Sequence, residues 1–229
     1  MKLYNEYINT RINEEAFAIE QTYFVKTDRR VNPKEIEPYK FFLGSIPILI
    51  TAPHAVRHIR KKRIKPSDQF TGAISVVLHN KTNAYCLAAT KLYGGDPAFD
   101  KPCIFKEKIR EIVTKHRIKF VIDIHGASGE RPFDVDIGSM NGISFGERRN
   151  FVEEIKNCFQ QNDIKKITLD NFPALKQHTI TRFVVEELNC SGIQLEINRK
   201  YRAFQNLNSF AQLMASLTCA VNYLSKKSN

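Results

Sequence analysis

The chain has 229 residues, 35 Lys+Arg against 24 Asp+Glu, and a formal net charge of +11. Hydrophobic residues make up 42% and charged residues 26%, a globular balance that excludes wholesale disorder and suits one domain, 1–229. No apolar run reaches the ~18–20 residues of a membrane helix. The opening MKLYNEYINTRINEE lacks the apolar centre of a secretory signal, so a cytoplasmic protein is expected.

The apolar run 47–52 (IPILIT) reads as a buried strand ended by Pro53. Phe70, Ala73, Ile74, Val77 and Leu78 recur at a helical period over 69–80. Ser67 or Asp68 stands where a cap belongs. Residues 83–89 suit a strand, and Gly94-Gly95-Asp96-Pro97 a loop. Ile104, Phe105, Ile109, Ile112 and Val113 share one face of a helix over 103–116. Residues 118–124 (IKFVIDI) predict a strand. Phe133, Val135 and Ile137 alternate with Asp134 and Asp136, which predicts a half-exposed strand over 133–139. A helix over 147–161 turns Phe151, Ile155, Cys158 and Phe159 inward, and a short strand over 164–169 follows. A helix over 179–189 opens at Thr179. A strand over 192–198 and a helix over 205–224 close the chain. This order predicts an α/β sandwich with a mixed, mostly parallel sheet, in which ligands collect at strand ends.

The five cysteines, Cys86, Cys103, Cys158, Cys190 and Cys219, are scattered and form no C-x-x-C pair. Buried reduced thiols are therefore expected, not a disulfide scaffold or a cysteine-bound zinc. The densest basic run, the loop Arg57 to Lys65, lacks the interleaved aromatics of a stacking platform, which argues against nucleic acid. The segment Gly142-Ile143-Ser144-Phe145-Gly146 is not taken as a nucleophile elbow.

Three strand ends carry chemistry. Thr51-Ala52-Pro53-His54-Ala55 puts a histidine directly after an apolar strand. In Asp123-Ile124-His125-Gly126, alternation places Asp123 and His125 on one face, where the carboxylate is suited to orient the imidazole. In Gln194-Leu195-Glu196-Ile197-Asn198, the polar residues share one face, and a carboxylate in so apolar a strand is costly unless paired or functional. Two histidines with nearby carboxylates suit a mononuclear zinc site, which takes three N/O ligands and keeps a position open. The third ligand is Asp68 or its competitor His58. Arg57, Arg182, Arg199 and Arg202 are candidates for holding substrate carboxylates or a developing oxyanion.

At these residues the chain resembles the N-formylglutamate amidohydrolase family. The matching pieces are Pro53-His54-Ala55, Asp68-x-x-Thr71, Asp123-x-His125-Gly126, Asp136-Ile137-Gly138 with Asn141-Gly142, and Gln194 to Arg199, in the family's order between about residues 47 and 202. The resemblance implies a three-layer α/β/α sandwich like that of zinc carboxypeptidases and phosphorylase/hydrolase-like proteins. It implies His54, His125 and Asp68 as ligands to Zn2+, and Glu196 as the base that activates water and then protonates the leaving amine. It implies a small anionic N-acyl amino acid as substrate, met by arginines and Asn141. Val56 stands where the family usually has a small residue, and residues 1–40 form an unmatched N-terminal extension. A contrasting expectation is a catalytically silent binding module that offers the basic loop 57–65 to an acidic partner.

Overall fold

The computed structural model describes residues 2–25, 30–146 and 150–228. In chain order the elements are α1 (Lys2–Tyr23), β1 (Tyr39–Phe42), β2 (Ile46–Ala52), β3 (His58–Arg60), β4 (Arg63–Lys65), α2 (Thr71–Thr82), β5 (Ala84–Ala89), α3 (Ile104–His116), β6 (Phe120–Ala127), β7 (Val135–Gly138), α4 (Asn150–Gln160), β8 (Ile167–Leu169), α5 (Ile180–Leu188), β9 (Ser191–Asn198), α6 (Arg199–Arg202) and α7 (Leu207–Lys226). None of the described helices is long and apolar enough to cross a membrane.

Seven strands form one sheet in the order β1-β5-β2-β6-β9-β7-β8. β5, β2, β6 and β9 run parallel. β1 is antiparallel to β5, β7 is antiparallel to β9, and β8 is parallel to β7. The expected mixed sheet is therefore present, with its parallel strands central and buried on both faces. One core packs α2, α4 and α7 against Ile48, Ile50, Ile122, Ile124, Ile193, Leu195 and Ile197. The other packs α3 and α5 against Leu49, Val121 and strand β5. Helices on both faces make the three layers expected from the alternating pattern.

Several boundaries differ for physical reasons. Strand β7 is wholly buried, not half-exposed. Its flanking Asp134 and its own Asp136 are buried because their carboxylates accept hydrogen bonds from neighbouring segments. The helix expected over 147–161 is described from Asn150; 147–149 lie outside the described residues. No side chain from its own segment caps α2, although Ser67 or Asp68 was expected there. Thr179 does cap α5, its Oγ1 accepting from the Arg182 N–H at 3.1 Å. The basic loop 57–65 folds as a hairpin, β3 against β4, with Lys61 and Lys62 at φ 50° and 63° in its tip, the signature of a primed two-residue turn. Cys158 and Cys219 form a disulfide between α4 and α7, against the expectation of five reduced thiols. Their separation of 61 residues hid a pairing that helix packing creates. Cys86, Cys103 and Cys190 are buried and free.

Candidate metal centre and its cavity

β2, β6 and β9 are neighbours that end on the same edge of the sheet, so their carboxyl ends present three functional segments together. His54 follows β2, and His125 and Glu196 stand opposite one another in register on β6 and β9. Asp68 lies in the turn before α2, and its backbone N–H donates to the His54 carbonyl at 2.8 Å. The chain thus doubles back from His54 through the hairpin to Asp68.

Asp68 Oδ2 lies 3.5 Å from His54 Nδ1 and 3.3 Å from His125 Nδ1. It also accepts from the Gly126 N–H at 3.1 Å. Each imidazole is held from behind. His54 Nε2 meets Asp96 Oδ1 at 2.8 Å, and His125 Nε2 meets Asp123 Oδ2 at 2.9 Å. Asp123 is itself fixed by Thr51 Oγ1 at 2.6 Å. Asp96 also takes the Arg60 guanidinium and the Ala98 N–H.

The electrostatics follow from this packing. Burial alone would depress both imidazoles, but Asp68 and Asp96 raise His54, and Asp123 with Asp68 raises His125 well above the ordinary range. Burial would raise Asp68, yet His125 and His54 hold its carboxyl far below the usual carboxylate range. Glu196 differs: burial raises its pKa, partly opposed by His125. Gln194 Nε2 donates to Glu196 Oε1 at 3.2 Å. His58, stacked on His54 at 3.8 Å between centroids, is pushed down to about 4 by burial and by His54.

Among the described residues, two groups bring ligand atoms together: His54 with Asp68 and His125, and His54 with His58 and Asp96. The first suits a divalent cation better. Tetrahedral zinc with bonds of ~2.1 Å separates its ligand atoms by about 3.4 Å, which the Asp68 distances match. Both Nδ1 atoms converge on one carboxylate oxygen while both Nε2 atoms are held by carboxylates, the outer support that metal-bound histidines use. Asp68 keeps 20% of its side chain exposed toward the cavity. In the second group the cationic place beside Asp96 is already taken by Arg60.

A cavity of about 620 Å³ opens over these residues, lined among others by His54, His58, Asp68, His125, Gln194 and Glu196. Its cations are Arg60, Lys65 and Lys176. None of Arg57, Arg182, Asn141, Arg199 and Arg202, expected to meet substrate, lines it. Arg182 pairs with Glu186 at 2.9 Å and donates to the Leu175 carbonyl at 3.1 Å. Asn141 and Arg199 are exposed. Arg202 is 4% exposed and donates to the carbonyls of Ile197, Ala127 and Gln69. It is a strap joining β9, β6 and the Asp68 turn. Arg202→Met removes a donor from three carbonyls and is expected to cost about 3 kcal/mol of unfolding free energy, read by urea denaturation.

The basic run 57–65, whose position between His54 and Asp68 suggests a cationic rim for an anionic substrate, does bring Arg60 and Lys65 to the cavity. The sequence reading missed Asp96, Lys176 and the loop 170–179 as parts of the site. Asp136 holds that loop, accepting from the Thr168 hydroxyl at 2.7 Å and from the N–H groups of Asn171 and Phe172 at 3.2 and 2.9 Å. At Gly138 a Cβ would meet the Phe172 carbonyl at 2.3 Å, so only glycine lets the loop approach. The Asp136-Ile137-Gly138 motif was the available signal for it. Buried Lys106 joins this loop to the one carrying Asp96, donating to the carbonyls of Asp100 and His178. Ser144 sits in letters that spell G-x-S-x-G, but it is 2% exposed in a 3₁₀ turn outside the cavity lining, which gives no nucleophile.

No family model and no curated protein sequence matches the chain. Solved structures do match its fold. An N-formylglutamate amidohydrolase from Ralstonia eutropha JMP134 is 13% identical with a TM-score of 0.61, over 84% of this chain and 98% of that one. A bacteriophage poly-gamma-glutamate hydrolase is 14% identical with a TM-score of 0.50, over 92% and 96%. A metallo-carboxypeptidase from Burkholderia cenocepacia is 10% identical with a TM-score of 0.50, over 85% and 66%. The chain therefore has the α/β/α fold that these amidohydrolase and carboxypeptidase-like structures share.

Proposed function

We propose that the protein is a zinc-dependent amidohydrolase that cleaves the amide bond of a small, anionic N-acyl amino acid. The observation that carries this reading is the convergence of His54 Nδ1, Asp68 Oδ2 and His125 Nδ1 beside Glu196, in a cavity rimmed by cations. Zinc held by those three side chains supplies Lewis acidity, polarising a carbonyl and acidifying water.

The chain's own groups do the rest. Asp96 and Asp123 fix the tautomer and orientation of His54 and His125, keeping Nδ1 forward. Glu196, its pKa raised by burial, is a stronger base than an ordinary glutamate. It takes a proton from water as the oxygen attacks the acyl carbon, then delivers that proton to the amine nitrogen as the C–N bond breaks. Gln194 holds Glu196 Oε1 in place. Arg60, Lys65 and Lys176 draw the substrate's carboxylates to the rim.

The test is metal analysis of protein purified without chelator, followed by amine-release assays on N-formyl and other N-acyl derivatives of glutamate and aspartate and on a γ-linked glutamate oligomer. About one zinc per chain and chelator-sensitive release support the reading. Failure to bind added zinc removes it. Lys65→Gln with Lys176→Gln is expected to raise KM about 10-fold for dicarboxylate substrates, with kcat unchanged and the salt dependence of kcat/KM flattened.

A further inference from the structure

The N-terminal helix reaches the metal centre through the first turn of α2. Glu20, near the end of α1, is only 7% exposed, and its carboxylate faces the backbone N–H groups of Phe70 and Ala73. Those amides belong to the start of α2, where Phe70 is at φ 72° and no local side chain provides a cap. A carboxylate from another helix thus stands at the positive end of α2, where anions are favoured. The position is costly: burial pushes the Glu20 carboxyl up to about 7, and Oε2 has no hydrogen-bond partner among the described residues. A second contact lies beside it. The Phe24 ring sits so close to Gly72 that a Cβ there would come within 2.5 Å of it.

This first turn carries Asp68 with it. The Asp68 carbonyl accepts from the Thr71 N–H at 3.1 Å and the Thr71 hydroxyl at 2.8 Å. Arg202 holds the Gln69 carbonyl from the other side. The start of α2 is therefore fixed between a strap from the sheet and a clamp from α1.

We propose that Glu20 and Phe24 are positioning residues, which make the N-terminal helix part of the site by fixing the turn that aims Asp68 at His54 and His125. This rests on the reading of Asp68 as a metal ligand.

The experiment uses the full chain with Glu20→Ala, Glu20→Gln and the milder Phe24→Leu. Ala16→Gly, at a buried position of the same helix, serves as a packing control. Zn2+ affinity is measured by competition with a chromogenic chelator, and amide hydrogen exchange at residues 70–74 is measured without metal. Glu20→Ala is expected to weaken Zn2+ binding about 10-fold, the low end for groups that orient ligands, and to speed exchange at 71–73. Glu20→Gln, which keeps an acceptor, is expected to recover most of both, and Phe24→Leu to weaken binding a few-fold. Ala16→Gly is expected to lower Tm with Zn2+ affinity unchanged. The proposal is overturned if Glu20→Ala binds Zn2+ as wild type does, or if Ala16→Gly loses as much affinity. Wild type that binds no Zn2+ overturns the metal reading, and with it the role toward Asp68. The exchange measurement separately reports whether Glu20 holds α2.

Discussion

Glu196→Gln is expected to slow amide hydrolysis by on the order of 10²–10⁴-fold, the usual contribution of a positioned general base, while the protein keeps its zinc. Gln matches Glu in shape and leaves the ligand atoms of His54, Asp68 and His125 untouched. Glu196 stands beside His125 on the next strand, and burial raises its pKa. A raised carboxyl pKa means that the active, ionised form is lost as pH falls through it. The acid limb of kcat/KM should therefore lie above the 4.5 of an ordinary glutamate and be absent from the residual activity of the variant. Full activity in Glu196→Gln would remove this residue from the chemistry. Loss of zinc would make it a ligand instead.

His125→Ala is expected to abolish stoichiometric zinc binding, as are His54→Ala and Asp68→Asn, each weakening affinity by more than ~100-fold. The carboxylates behind the histidines should matter less: Asp123→Asn and Asp96→Asn should cost about 10–100-fold. His58→Ala decides between the two groups that share His54. Its ring stacks on His54 and its Nε2 faces Asp96 at 3.5 Å. Zinc retention in His58→Ala supports the Asp68 group. Its loss, with retention in His125→Ala, would move the metal to the side of Asp96. Calorimetric titration of Zn2+ into each chelator-stripped variant reads both outcomes.

These expectations concern residues of unequal legibility. Asp123 and His125 share a face, as do Gln194 and Glu196, because a strand turns alternate side chains the same way whatever surrounds it. The central strands were legible from their composition: residues 48–52 and 120–124 are apolar almost throughout and buried on both faces. Helix α1 was not, since its charged, weakly periodic sequence gains stability from Ala16 and Ile12 packing on the main core. Which cations reach the cavity was only partly legible, because a guanidinium reads alike in solvent and under backbone carbonyls; the basic loop 57–65 does supply Arg60. Arg202 found carbonyls, while Lys65 and Lys176 line the cavity.

From its sequence alone, this protein's alternating α/β order, its apolar central strands and the residue types at their ends could be read, because those depend on neighbours along the chain. Tertiary structure alone decided which ends meet. Asp96 supports His54 because parallel β5 lies beside β2 and their following loops leave the sheet together. The Lys176 loop reaches the cavity because Asp136 and Gly138 let it close over the sheet edge. Cys158 finds Cys219, and Glu20 finds α2, only when helices pack. Such contacts come from side chains far apart in sequence, and no local periodicity records them.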